Sequence, residues 1–176
     1  MDGQGRVLGG VTVGKKELIR ELYLFARNTG GSLSPFNAWV LSKSLETLGV
    51  RVDRHCESAL EIAKKIEQHP KVNWVKYPFL NSHPQHQLAL KQMKKGGNII
   101  SFEVKGGLEA GRKFINAIQM CSLSANLGDS RSIITHPSST THSKLSDEER
   151  EEVGISLGMI RLSVGLEHPH DIWNDI

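Results

Sequence analysis

The chain has 176 residues, 38% of them hydrophobic and 23% charged, with a net charge of +3 and a pI near 8.9. That length suits one domain, or one domain with a piece of another, and no apolar run approaches a membrane span. Lysines and arginines are scattered, with no basic run interleaved with aromatics, which excludes the usual electrostatic footprint of a nucleic-acid binder. Two lone cysteines, Cys56 and Cys121, and an opening without a charged-then-apolar leader place the expected compartment in the reducing cytosol.

In chain order, "VLGGVTVG" (Val7 to Gly14) reads as a strand and Lys16 to Arg27 as the helix after it. Gly9, Gly14 and Lys15 nearly spell a phosphate loop. However, the position that should carry a magnesium-binding hydroxyl is Lys16, and Val11, Thr12 and Val13 are β-branched and resist the required nest. "GGSLSP" (Gly30 to Pro35) breaks the chain before a helix over Phe36 to Thr47. From Val52 to His69 the apolar positions Val52, Cys56, Leu60, Ala63 and Ile66 recur at helical spacing, and Pro70 ends the run. Val72 to Pro78 alternates as a strand, Ser82 is placed to cap a helix reaching Lys95, and Asn98 to Val104 is a strand bounded by glycines. Leu108 to Met120 returns to helical period. The hydroxyl-rich stretch after Cys121 has no period, and Ser146 with Glu149 spells a capping box for a short acidic helix. Met159 to Glu167 is a strand, and "HPHDIWNDI" opens a last helix. The succession of strands and helices predicts an α/β or α+β layer, a small sheet with helices on one face.

Few residues offer chemistry. His83 and His86 lie three apart, but a zinc site wants further ligands and no local partner is present, so no metal is expected. Serines are plentiful without the G-x-S-x-G elbow that would expose a nucleophile. "SDEEREE" reads as a solvated helix start. Arg161, in the middle of the apolar strand "MIRLSVG" with Met159 and Ser163 on its face, is costly to leave unpaired. It either pairs with an internal acid such as Asp129 or Glu167, or its planar fork grips a carboxylate from outside.

Five segments then carry a resemblance: "NTGGSLSPFNAWVLSKSLETL", "RVDRHCESA", "YPFLNSHPQHQLALKQMKKGGNIISFEV", "SANLGDSRSIITHPSSTTH" and "GMIRLSVGLEHPHDI". In this order they resemble the C-terminal part of the Cys/Met-metabolism family of pyridoxal-phosphate enzymes. That family includes cystathionine γ-synthase, cystathionine lyases, methionine γ-lyase and the homoserine-ester sulfhydrylases. "DGQGRVLGG" with "ANLGDSRSIITHPSSTTH" looks nearest to the sulfhydrylase branch, the succinyl ester first and the acetyl ester next.

The resemblance implies a mostly antiparallel C-terminal sheet of a fold-type I enzyme over residues 36–176, with residues 1–35 a remnant of the large cofactor domain and its linker. It implies that Arg161 binds the substrate α-carboxylate, joined by Asn126 and the backbone of Leu127, with Thr141 lining the same pocket. Gly128 and Asp129 would shape the loop's turn. The cofactor would be pyridoxal phosphate in the intact enzyme. Its lysine would lie in an S-x-T-K motif upstream of Asp2, so no catalytic residue and no bound cofactor are expected in this chain, which should be inactive alone. Implied partners are an amino-acid substrate, an N-terminal cofactor domain and further copies of the chain, tetrameric in intact enzymes. The reaction would replace the γ-acyl group of a homoserine ester with sulfide. The alternatives are a related family activity or a catalytically dead module. Residues 1–35 are expected to be mobile, or ordered only by association between copies.

Overall fold

A computed structural model describes the backbone of residues 1–176 and the side chains of all but Asp147. The chain divides into two compact units, Met1–Gly49 and Val50–Ile176.

In the first unit, α1 (Lys16–Thr29) follows a segment with no regular structure, and α2 (Pro35–Leu45) follows the glycine-serine break. The strand expected over Val7 to Gly14 does not form. A strand needs a ladder partner for its N–H and C=O groups, and none is paired to it, so the β-branched residues stay in irregular backbone with Val11 and Val13 exposed. The segment is tied down by side chains instead. Arg6 pairs with Asp2 at 2.6 Å and donates to Ser44 Oγ, and Asn37 donates to the carbonyl of Leu8 at 2.8 Å. Ser34 caps α2 by accepting the N–H of Asn37, and Pro35 sits at the first turn, where its missing N–H costs nothing. α1 buries no residue, and its Leu18, Leu22 and Phe25 face solvent.

The second unit is built on a five-stranded sheet in the order β1-β2-β5-β4-β3. Its strands are β1 (Val72–Lys76), β2 (Ile99–Val104), β3 (Ser122–Leu123), β4 (Ile133–Thr135) and β5 (Met159–Ser163). The β1/β2, β2/β5 and β5/β4 pairs are antiparallel, and only β3 and β4 run parallel. Strand alternation sends Ile100, Phe102 and Val104 of β2, and Ile160 and Leu162 of β5 with the following Val164, into one core. Against it pack α3 (Leu48–Glu67), α5 (Gly107–Ala117) and α7 (Pro169–Asp175), through Ala59, Ile62, Ala63, Ile66, Phe114 and Ile172. Each fully buried Ile, Leu or Val there contributes about 1.5–3 kcal/mol. The buried seam of α3 is centred on Ala59 and Ile62. Val52, expected within it, is exposed.

Two further expectations differ. The helix placed from Ser82 to Lys95 is shorter, α4 (His86–Gln92), and Ser82 donates to the Glu67 carboxylate instead of capping it. Pro84 disfavours helical backbone in His83 before it, so the chain turns through residues 78–85 first. The stretch after Cys121 is not without structure: it holds β3, β4 and a short 3-10 turn at Pro137–Ser139. All three residues of β4 are buried, so no alternation marks them in the sequence. The capping box forms as spelled, with Ser146 and Glu149 exchanging side-chain and backbone bonds at the start of α6 (Asp147–Glu152). Among the described residues no helix is long and apolar enough to cross a membrane.

Asp175 closes the sheet's far edge. Its carboxylate accepts the N–H groups of Gln119, Met120 and Cys121 at 2.8, 3.0 and 2.8 Å, holding the chain that enters β3. Burial alone would raise this carboxyl. The backbone donors outweigh it and hold Asp175 below the ordinary aspartate range, so the folded state favours the ionised form. Its contribution is complete above the unfolded-state value and disappears as pH falls through the lower folded value. Asp175→Asn is therefore expected to lower stability by about 1–2 kcal/mol at neutral pH. The gap from the parent chain should close in acid, as read from urea midpoints along a pH series.

Candidate functional site

Arg161 stands at the centre of β5, on the face opposite the buried Ile160 and Leu162. Its register partners are Ser101 on β2 and Thr135 on β4, two small hydroxyl residues that leave room above the guanidinium. The internal ion pairs that could have explained it are absent among the described residues. Asp129 is committed to Arg131, accepting its backbone N–H at 3.0 Å and lying 3.4 Å from its guanidinium. Burial pushes the Asp129 carboxyl up, and the Arg131 bonds more than reverse this. Glu167 is committed to Ser132, accepting its N–H at 2.7 Å and its hydroxyl at 2.9 Å.

Arg161 instead reaches the loop over residues 124–132, which links β3 to β4. One Nη donates to the carbonyls of Ala125 (2.7 Å) and Asn126 (3.5 Å). Carbonyls orient a guanidinium but do not neutralise it, so its charge is held in place and still lacks a carboxylate. The same loop presents Asn126 and Leu127, both exposed. The Asn126 N–H is taken by Ser124 Oγ, whereas the Leu127 N–H has no partner among the described residues. Gly128 turns the loop with φ +76°, a conformation that glycine adopts without penalty. A half-exposed guanidinium with no carboxylate partner among the described residues is suited to accept a carboxylate in bidentate fashion.

The structure thus brings Arg161 to the backbone of Asn126, with Leu127 next along the same loop. Thr141 is exposed and bonded to His142 Nδ1, with no bond to the arginine. It follows Thr140, whose hydroxyl donates to the His136 carbonyl and accepts from Thr135, the register neighbour of Arg161. Residues not singled out from the sequence also shape the site. Ser163, noted there only as sharing the face of Arg161, accepts from Gly128 N–H. Asn98 reaches the same hydroxyl from 65 positions away. Strand alternation could have flagged Ser163; nothing local could have flagged Asn98.

Neither β4, β5 nor the loop between β3 and β4 contains a lysine. Elsewhere, Lys43 and Lys65 pair with carboxylates and Lys105 donates to the Pro70 carbonyl. Lys95 is raised above the ordinary lysine range by Asp53 and then Glu57, the reverse of an amine poised for imine chemistry. The groups around Arg161 fit a carboxylate and do not fit a pyridine aldehyde cofactor. Among the described residues no group of His, Cys, Asp and Glu could hold a metal ion.

A small, mostly antiparallel sheet backed by helices, with an arginine on the face away from its core that has no carboxylate partner among the described residues, is the α/β architecture this chain presents. The chain belongs to the Cys/Met metabolism PLP-dependent enzyme family, whose pattern matches residues 1–176. It is 46% identical over 176 residues to an O-succinylhomoserine sulfhydrylase of Pseudomonas aeruginosa, covering 100% of this chain and 44% of that protein. It is also 46% identical over 178 residues to an L-methionine gamma-lyase of Porphyromonas gingivalis, covering 100% of this chain and 45% of that protein. Its backbone matches a cystathionine gamma synthase of Xanthomonas oryzae pv. oryzae, solved with aminoacrylate and cysteine, with a TM-score of 0.90 at 39% identity. That match covers 99% of this chain and 45% of the other. The chain spans less than half the length of the curated relatives it matches.

Proposed function

We propose that this chain is the substrate-carboxylate portion of a pyridoxal-phosphate-dependent sulfhydrylase that replaces the γ-acyl group of O-succinyl- or O-acetyl-homoserine with sulfide, a step of methionine biosynthesis. The observation that carries the carboxylate role is the guanidinium of Arg161, oriented by two loop carbonyls and without a carboxylate partner among the described residues. In this reading Arg161 and Leu127 fix the α-carboxylate, and Asn126 and Thr141 border it. Holding that end of the substrate sets where its α-carbon and γ-carbon lie, a positioning contribution to catalysis. The cofactor and its lysine belong to residues outside this chain, so the isolated chain is inactive. The complete enzyme is a cytosolic homo-oligomer. Two buried free thiols support the compartment, and the exposed apolar face of α1 supports a partner surface in the larger protein.

The sulfhydrylase branch rests on the likeness to the Pseudomonas protein, and an equal identity to methionine gamma-lyase supports a second reading, γ-elimination. A complete enzyme carrying this chain separates the two. With O-succinyl-L-homoserine and sulfide it should form homocysteine at a kcat/KM well above that for thiol release from L-methionine. The reverse order would assign the lyase reaction.

A further inference from the structure

The loop that meets Arg161 is held from below by a buried hydroxyl. Ser163 lies two residues after Arg161 on the same face of β5 and is 1% exposed. Its Oγ accepts the Gly128 N–H at 2.9 Å and the Asn98 side-chain amide at 3.1 Å, which occupies both lone pairs. Asn98 is fixed in turn. Its backbone carbonyl accepts the Val164 N–H at 2.9 Å, and its amide also reaches the Val164 carbonyl at 3.3 Å. That same carbonyl bonds to Nδ1 of His55, buried on α3, at 2.7 Å. A continuous chain of bonds therefore runs from α3 through the end of β5 and Asn98 to the turn of the exposed loop.

We infer that Ser163, oriented by Asn98, is a positioning residue that presets the carboxylate subsite. Apart from this bond, the loop between Ala125 and Gly128 is tethered to the sheet by Arg161 itself, through the Ala125 and Asn126 carbonyls. Arg161 cannot both hold the loop and be freely recruited by a ligand unless something else fixes the loop. Ser163 does so. By fixing Gly128 it steadies the loop whose Ala125 and Asn126 carbonyls aim the Arg161 guanidinium, so the fork is held in place before any ligand arrives. Preorganisation of this kind lowers the ordering cost of binding. The inference rests on the carboxylate role of Arg161 proposed above.

The test uses the isotope-labelled 176-residue chain with L-methionine as probe, following the Leu127 and Gly128 amides and the Arg161 Nε–H by NMR. Ser163→Ala should speed Gly128 amide exchange about tenfold, the effect of one lost hydrogen bond, while exchange at Ile100 and Ile134 is unchanged. Its dissociation constant for L-methionine should rise by about the same factor, and Ser163→Thr, which keeps the hydroxyl, should recover most of both. Asn98→Ala leaves the Ser163 acceptor in place, so it should loosen Gly128 less; it carries the exchange test if Ser163→Ala does not fold. Parental exchange at Gly128 in Ser163→Ala, or in Asn98→Ala where that stands in, overturns the inference. So does parental affinity in Ser163→Ala when Arg161→Ala has lost binding. No titration in the parent chain, or undiminished affinity in Arg161→Ala, instead refutes the carboxylate role, and Gly128 exchange still decides whether Ser163 holds the loop.

Discussion

Arg161→Ala, in a complete enzyme that carries this chain, is expected to lower kcat/KM by the equivalent of about 2–5 kcal/mol, the cost of truncating one member of a desolvated charge pair. The argument begins with the strand. β5 buries Ile160 and Leu162 and so fixes the backbone on either side of Arg161, while Ser101 and Thr135 leave its side chain uncrowded. On the proposed reading the fork is preset, and its loss removes an oriented partner for the substrate rather than a flexible surface charge. Arg161→Lys should recover little, because an ammonium cannot donate two parallel bonds to one carboxylate. Stability should change by much less than activity, since among the described residues the Arg161 side chain bonds to two carbonyls of an exposed loop. Steady-state kinetics with the succinyl ester, beside a thermal melt, checks both halves. Parental kcat/KM in the lysine variant would remove Arg161 from the carboxylate site.

Gly165→Ala is expected to be the most destabilising single methyl group in the second unit, at about 3 kcal/mol, the upper range for overpacking a tight site. A Cβ built there stands 2.5 Å from the Arg131 carbonyl carbon and closer still to Ser132 N and Glu167 Oε2. The carboxylate could swing aside, but the backbone of residues 131–132 cannot move without disturbing β4. Gly165 also donates its own N–H to Ser132 Oγ at 2.9 Å, inside the clasp that Glu167 makes on Ser132. The methyl group therefore breaks an interlocked set of bonds and adds a clash. Chemical denaturation should show the loss. Glu167→Ala, which empties the clasp without forcing the backbone apart, should cost less. A Gly165→Ala chain as stable as its parent would mean that the β4–β5 junction is far more compliant than its close packing indicates.

Local chemistry was readable in advance. Ser34 with Pro35, and Ser146 with Glu149, act within four residues of themselves, and each starts a helix where the sequence places one. The strand at Val7 to Gly14 was misread for the converse reason. β-Branched residues favour extended backbone, but a strand exists only when a second segment completes its ladder, and propensity does not report whether one will. β3 and β4 have no bounds that the sequence marks, because they are short and β4 is buried throughout, so neither alternates.

For the site, the sequence by itself determined that a guanidinium would stand on an apolar strand, on the face of Ser163, and that its charge needed an answer. Its residue pattern leaves an internal acid and an external carboxylate open, because Asp129 and Glu167 are equally available as letters, and the external carboxylate is favoured only by the family resemblance. Only the tertiary structure removes those two acids, by committing Asp129 to Arg131 and Glu167 to Ser132 and leaving Arg161 with carbonyls. The same holds for Asn98 and Ser163, brought together by the β2–β5 pairing across 65 residues. Helix starts are fixed by contacts one turn apart, whereas the partner of a strand side chain is set by pairing between distant segments, and that register is not written in either segment alone.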